Sequence, residues 1–176
     1  QILGTTYGWE KEEAAIEVLL DAKINKLMVR HVKKVAPHCV GGFAEHIEIA
    51  GEIGPDSTAA LERLLPQVKQ CEAVSGGSKY SLMAYLSSGG GYLKDGYALG
   101  ELFREYEITT MVTGGQKCAS SCAIAFLGGL YRHMAFDAEL LFHAPYTTNG
   151  IAINCEDKGQ VAGLKDYYQQ NLGQSD

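Results

Sequence analysis

The stretch Tyr80-Ser81-Leu82-Met83-Ala84-Tyr85-Leu86-Ser87-Ser88-Gly89-Gly90-Gly91 sets the architecture of this chain. Tyr80 to Leu86 is mostly apolar, the mark of a strand buried on both faces, as in a parallel sheet flanked by helices. Ser87 to Asp95 then reads as a glycine-rich loop, and Tyr97 to Tyr106 as a helix with Leu99, Leu102 and Phe103 turned inward. Ile108 to Val112 supplies the next strand and Gly114-Gly115-Gln116-Lys117 a turn. Ser120 to Leu127 is apolar and predicts a buried helix, and Ala138 to Phe142 a strand that delivers His143. Strand and helix alternate, which argues for an α/β domain with largely parallel pairing.

Upstream, Glu10 to Met28 carries Ile16, Leu19, Leu20, Ile24 and Leu27 at helical spacing and predicts a helix with an acidic first turn. Val40-Gly41-Gly42 is a turn. His46 to Ile53 alternates and predicts a strand. Pro55-Asp56-Ser57 starts a helix with Leu61, Leu64 and Leu65 buried, which Pro66 ends or kinks. Val161, Leu164, Tyr168 and Leu172 mark a final amphipathic helix.

The 176 residues, 46% hydrophobic and 20% charged, suit one domain with a sizeable core. The net charge is -6 and no basic stripe appears, so no nucleic-acid partner is expected. Arg30, His31, Lys33 and Lys34 read as a solvated face. No run is long and apolar enough to span a bilayer. The chain begins at Gln1 rather than Met, which leaves room for a leader already removed.

Cys39, Cys71, Cys118, Cys122 and Cys155 form no CxxC pair, and a zinc site wants tighter paired spacing, so no metal is expected. Free buried thiols and one or two disulfides both fit. Cys118 and Cys122, four apart, can face each other only around a helix start.

Three features carry chemistry. Ser120 stands where a strand and turn give way to a helix, at the positive end of the helix dipole; Ser121 is its rival as nucleophile. Gly89-Gly90-Gly91 follows the apolar strand and lets backbone amides approach a substrate carbonyl. It is neither a phosphate loop nor a dinucleotide fingerprint. His143 ends a strand and precedes Pro145 closely, as a histidine facing a cleft does. His31, His38, His46 and His133 read as surface or loop residues.

Together, Leu86-Ser87-Ser88-Gly89-Gly90-Gly91, Cys118-Ala119-Ser120-Ser121-Cys122, Leu127-Gly128-Gly129 and His143-Ala144-Pro145 resemble the ClpP/crotonase superfamily. The resemblance is nearest to its predicted periplasmic, ClpP-class serine proteases, which share the Cys-Ala-Ser-x-Cys form. It covers roughly residues 46 to 146.

The resemblance implies a ClpP/crotonase-like spiral of β-β-α units filling residues 1–176 as a single domain. Residues 1–39 would be an N-terminal helical extension, and the C-terminal part would be incomplete. Ser120 would be the nucleophile and His143 the general base. The N–H groups of Gly90 and Ser121 would form the oxyanion hole, with Gly91 shaping the loop. Gly89 stands where the family has proline, and Cys122 where it has glycine. The family's third triad residue is an aspartate well beyond the histidine; Asp157, Asp166 and Asp176 match no motif there.

The expected activity is that of a serine peptidase or hydrolase, with a peptide or protein substrate, no cofactor, a homo-oligomeric state and a periplasmic or otherwise extracytoplasmic location. Two alternatives stand beside it. One is a catalytically inactive ClpP-like binding or assembly module, which the unassigned acid favours. The other is a crotonase-type acyl-CoA enzyme, against which the Ser120/His143 pair argues.

Overall fold

The computed structural model describes residues 16–143. Among the described residues, eight strands form one branched sheet. Strands β1 (Ile16–Ile24), β2 (Leu27–Val35) and β3 (Phe43–Ile53) come first. Helix α1 (Ser57–Leu64) follows, continued by a short 3-10 turn at Leu65–Gln67. Next come β4 (Met83–Gly91), α2 (Leu93–Glu105), β5 (Thr109–Val112), β6 (Lys117–Ala119) and α3 (Ser121–Leu127). Strands β7 (Arg132–Met134) and β8 (Glu139–Leu141) complete the described chain.

The helix expected over Glu10 to Met28 is not formed over its described part. Ile16–Ile24 and Leu27–Val35 are instead the two arms of an antiparallel hairpin, in which Ile24 pairs with Leu27. Asn25 turns the chain at φ 55, a left-handed conformation that asparagine tolerates and two-residue hairpins require. The helical spacing of Leu20, Ile24 and Leu27 is equally an alternation once the turn is placed at Asn25-Lys26. The β-branched Ile16, Val18, Ile24, Val29 and Val32 favour the strand. Residues 16–35 are thus strands of the main sheet.

Pairing is mixed rather than largely parallel. β1, β2 and β3 are antiparallel to one another, while β3, β4, β5 and β7 run parallel. The sheet branches at β4. Its first half pairs with β5 through Met83, Ala84 and Tyr85; Ser88 then pairs with Cys118 of β6, which pairs in turn with β8.

The helices pack on the sheet face that carries Ile47, Ile49 and Ile53 of β3 and Ala84 and Leu86 of β4. Leu61 and Leu64 of α1, Leu99, Leu102 and Phe103 of α2, and Ile124, Phe126 and Leu127 of α3 complete this core. Helices α2 and α3 approach closely through small residues: a Cβ on Gly96 would strike Ser121, and one on Gly128 would overlap the Gly100 backbone.

Other expectations are corrected by packing. Gly89 to Gly91 are the end of β4, not a free loop: Gly90 and Gly91 pair with Glu52 and Ile53 of β3. A Cβ on Gly91 would overlap the Ile53 carbonyl, so glycine is needed to bring the two backbones together. His31 and His46 are buried, not surface residues. His31 Nε2 lies 2.6 Å from Glu45 Oε2, which also accepts the Lys69 backbone N–H at 2.8 Å. Burial lowers the His46 pKa below its ordinary value, with Glu48 acting in the opposite sense. Arg30 is not simply solvated either; it pairs with Glu48 at 3.1 Å. The final helix expected near residues 161–172, and Asp157, Asp166, Asp176 and Cys155, lie outside the described residues.

The open question of the thiols is answered for four cysteines: Cys39 is bridged to Cys71, and Cys118 to Cys122.

Candidate active site

Three parallel strands, β4, β6 and β8, end side by side, and the candidate residues stand at or just beyond their ends. In open α/β sheets ligands sit outside the carboxyl ends of such strands. Ser88 of β4 is paired with Cys118 of β6, so two residues further on Gly90 faces Ser120. A Cβ on Gly90 would lie 2.6 Å from Ser120 Cβ and 3.2 Å from its Oγ. The Gly90 backbone therefore forms one wall around the Ser120 hydroxyl, which only a residue without a side chain can do.

β6 and β8 run in step, with Ala119 paired to Leu141. The Ser120 N–H donates to the Leu141 carbonyl at 2.8 Å. That bond locks the Ser120 backbone to the strand end from which His143 follows two residues later. His143 is exposed.

Ser120 itself has φ 56 and ψ -123. For a residue with a side chain this backbone is strained by about 1–3 kcal/mol, and such strain persists only where neighbours over-determine it. The determinants are visible. The preceding residues are held in β6, the following ones in α3, and the Cys118–Cys122 disulfide joins the two across the elbow with Cα atoms 5.2 Å apart. Both cysteines are fully buried. A serine on a sharp strand-to-helix turn presents its hydroxyl outward, the geometry used by nucleophile elbows.

The structure separates the two rival serines. Ser120 is partly exposed, whereas Ser121 is 0% exposed, its side chain pressed against Gly96 of α2 and its hydroxyl without a hydrogen-bond partner. Ser121 is the first residue of α3, so its N–H has no acceptor within the helix.

Gly90 differs from its expected role in one respect. Its N–H donates to Ser88 Oγ at 3.0 Å. Ser88 is buried and forms the short serine turn that its position two residues before Gly90 permits. That spacing was the sequence signal for it. On the outer side, Ser87 Oγ donates to Gln116 Oε1 at 2.6 Å, tying the β5–β6 turn to β4.

Among the described residues, His38, Cys39 and Cys71 are the group with metal-ligand side chains close together. Its two sulfurs are joined to each other, leaving one imidazole, which holds no metal alone. No described helix is long and apolar enough to cross a membrane.

This arrangement of strands and helices is found in a known protease. A mutant of the 1510-N membrane-bound stomatin-specific protease, in complex with a substrate peptide, superimposes with a TM-score of 0.50 at 15% identity. The fold is shared. The match covers 72% of this chain and 57% of that one, so the chain spans little more than half of the protease's length. Two further structures match with lower TM-scores. A ClpP1 point mutant from Listeria monocytogenes gives 0.48 at 17% identity, covering 70% of each chain. The ClpP protease catalytic domain from Plasmodium falciparum gives 0.46 at 19% identity, covering 70% of this chain and 64% of that one. No family model matches the sequence, and no curated protein matches it.

Proposed function

We propose that the chain is a serine hydrolase of the ClpP type, acting on a peptide or protein substrate. The single observation that carries this reading is the strained Ser120 backbone, φ 56 and ψ -123, at the strand-to-helix junction. Strain of this kind gathers where chemistry needs a side chain aimed in one direction.

In the proposed reaction Ser120 Oγ attacks the substrate carbonyl carbon and His143 accepts its proton. The developing oxyanion takes hydrogen bonds from the N–H groups of Gly90 and Ser121. Collapse expels the leaving amine, which takes the proton back from His143, and water then cleaves the acyl-enzyme by the same steps. For Gly90 to take part, the Ser88 hydroxyl must release its N–H. Gly91 fixes the wall by its close approach to Ile53.

The two disulfides support an oxidising, extracytoplasmic compartment such as the periplasm. A homo-oligomeric state belongs to the same reading.

A second reading is favoured by a specific observation. The Gly90 N–H is already satisfied by Ser88, as it would be in a catalytically inactive binding or assembly module that retains the fold.

Fluorophosphonate labelling with peptide mass spectrometry separates the two. The hydrolase reading expects an adduct on Ser120 that disappears in Ser120→Ala and survives in Ser121→Ala. A folded protein that takes up no label, or labels on another residue, would refute it.

A further inference from the structure

The sheet begins at β1, which among the described residues pairs with β2 alone. A strand edge with unpaired N–H and C=O groups is a template for another strand, and proteins blunt such edges with bulges and charges. β1 is bulged at Leu19, in its first half only. From Leu20 to Ile24 it runs in unbroken register with β2.

This second half alternates. Ala22 is paired with the buried Val29, and Leu20, Ala22 and Ile24 line a groove of about 470 Å³ against Ala60 and Leu64 of α1. Asp21 and Lys23 point to the opposite face of the sheet. Leu20 is 39% exposed, a large apolar side chain at the rim of a groove that His31, Arg63 and Gln67 also line.

The segment Leu20-Asp21-Ala22-Lys23-Ile24 is self-complementary. Laid antiparallel against a second copy about a two-fold axis through Ala22, it sets Leu20 opposite Ile24 and Asp21 opposite Lys23, each pair occurring twice. Apolar pairs then share the groove face, and opposite charges share the other. Moving the axis by one residue brings Asp21 against Asp21 or Lys23 against Lys23, and like charges directly opposite destabilise a sheet. The charge pattern thus selects one register. Asp21 is available for the pairing: it reaches Arg30 only at 3.9 Å, whereas Arg30 holds Glu48 at 3.1 Å.

We propose that the chain self-associates through this edge, with Leu20–Ile24 of two copies pairing antiparallel to make one continuous sheet across a two-fold axis. The interface is isologous and therefore closed, so it yields dimers rather than fibres. The partner's Leu20 and Ile24 extend the apolar face beside the groove. This proposal does not rest on the hydrolase reading.

Sedimentation equilibrium over a range of concentrations tests it. The unmodified chain is expected to dimerise. Asp21→Lys and Lys23→Asp are each expected to weaken the dimer at least tenfold, because each sets like charges opposite one another twice. An equimolar mixture of the two variants is expected to recover dimers, since opposite charges then meet at every pair. Ala22→Cys, made with Cys155→Ser, places a thiol on the axis and is expected to cross-link under mild oxidation, while Glu62→Cys on α1 in the same background is not. The cross-link keeps the test sound should a charge reversal impair folding. A chain that stays monomeric throughout overturns the proposal. A dimer indifferent to both reversals and without the Ala22→Cys cross-link overturns it as well.

Discussion

Removing the two disulfides separately is expected to divide stability from nucleophile reactivity. The Cys39–Cys71 bridge closes a sequence separation of 32, and Cys118–Cys122 one of only 4. In the chain-entropy model of cross-linking these lengths correspond to about 3.7 kcal/mol and about 2 kcal/mol. For a chain of this size each kcal/mol moves Tm by about 2–4 °C. From these figures Cys39→Ala/Cys71→Ala is expected to lose about 7–15 °C, and Cys118→Ala/Cys122→Ala about 4–8 °C.

Reactivity should follow the reverse order. The short bridge spans the Ser120 elbow, where the backbone holds about 1–3 kcal/mol of strain. Relaxation of about 1.4 kcal/mol of that strain turns the hydroxyl away and slows labelling about tenfold. The long bridge joins the β2–β3 connection to the segment before β4, and neither of its cysteines lies on β4, β6 or α3. The assay is the rate of fluorophosphonate labelling per folded molecule, read beside calorimetric melting curves. The elbow variant is expected to melt higher than the other yet label at least about tenfold more slowly. An elbow variant that labels at the unmodified rate would refute the reasoning, as would equal slowing in both.

Three further outcomes are expected. Gly90→Ala places a Cβ 2.6 Å from Ser120 Cβ at φ +108; overpacking and backbone strain together should lower stability by about 2–5 kcal/mol, measured by urea unfolding, and abolish labelling. Ser120→Gly removes the strain, since glycine adopts positive φ freely, and should raise stability by about 1 kcal/mol while losing the label; a drop in Tm would count against a strained elbow. Burial holds the His46 pKa below the ordinary 6.5, so the unfolded chain takes up a proton that the folded one resists. The stability it confers is full above 6.5 and is lost as pH falls from there toward the folded-state pKa. His46→Gln should flatten that part of the Tm-against-pH curve, and an unchanged slope would argue against it.

Much of the parallel part of the fold was legible in the sequence because its signals are local. The apolar Tyr80–Leu86 run announced a strand, although the one formed is Met83–Gly91, covered on one face rather than both, with Tyr80 outside it and exposed. Leu99, Leu102 and Phe103 could only share one helix face. The approach of Ser120 to Gly90 was foreshadowed by their places at element ends, since strands running in step bring such ends together. Ser88 was missed as a partner of Gly90 although its spacing announced a serine turn.

Elsewhere the tertiary structure decided. Leu20, Ile24 and Leu27 satisfy a helical period and a hairpin equally well, and only pairing with β3 makes the hairpin the lower state, because β2 buries Leu27, Val29 and His31 against it. His31 lies inside because the Glu45 carboxylate holds its ring, and that carboxylate is held in turn by the Lys69 amide; Glu45 is 14 residues from the first and 24 from the second. The choice between Ser120 and Ser121 was likewise tertiary. Both stand at the start of the same helix, and only the glycine-lined contact of α3 with α2 buries one hydroxyl while the elbow turns the other outward. Residue types and local periods belong to the sequence; which of two compatible periods survives depends on the surface available to bury it, and that surface is made by residues far away in the chain.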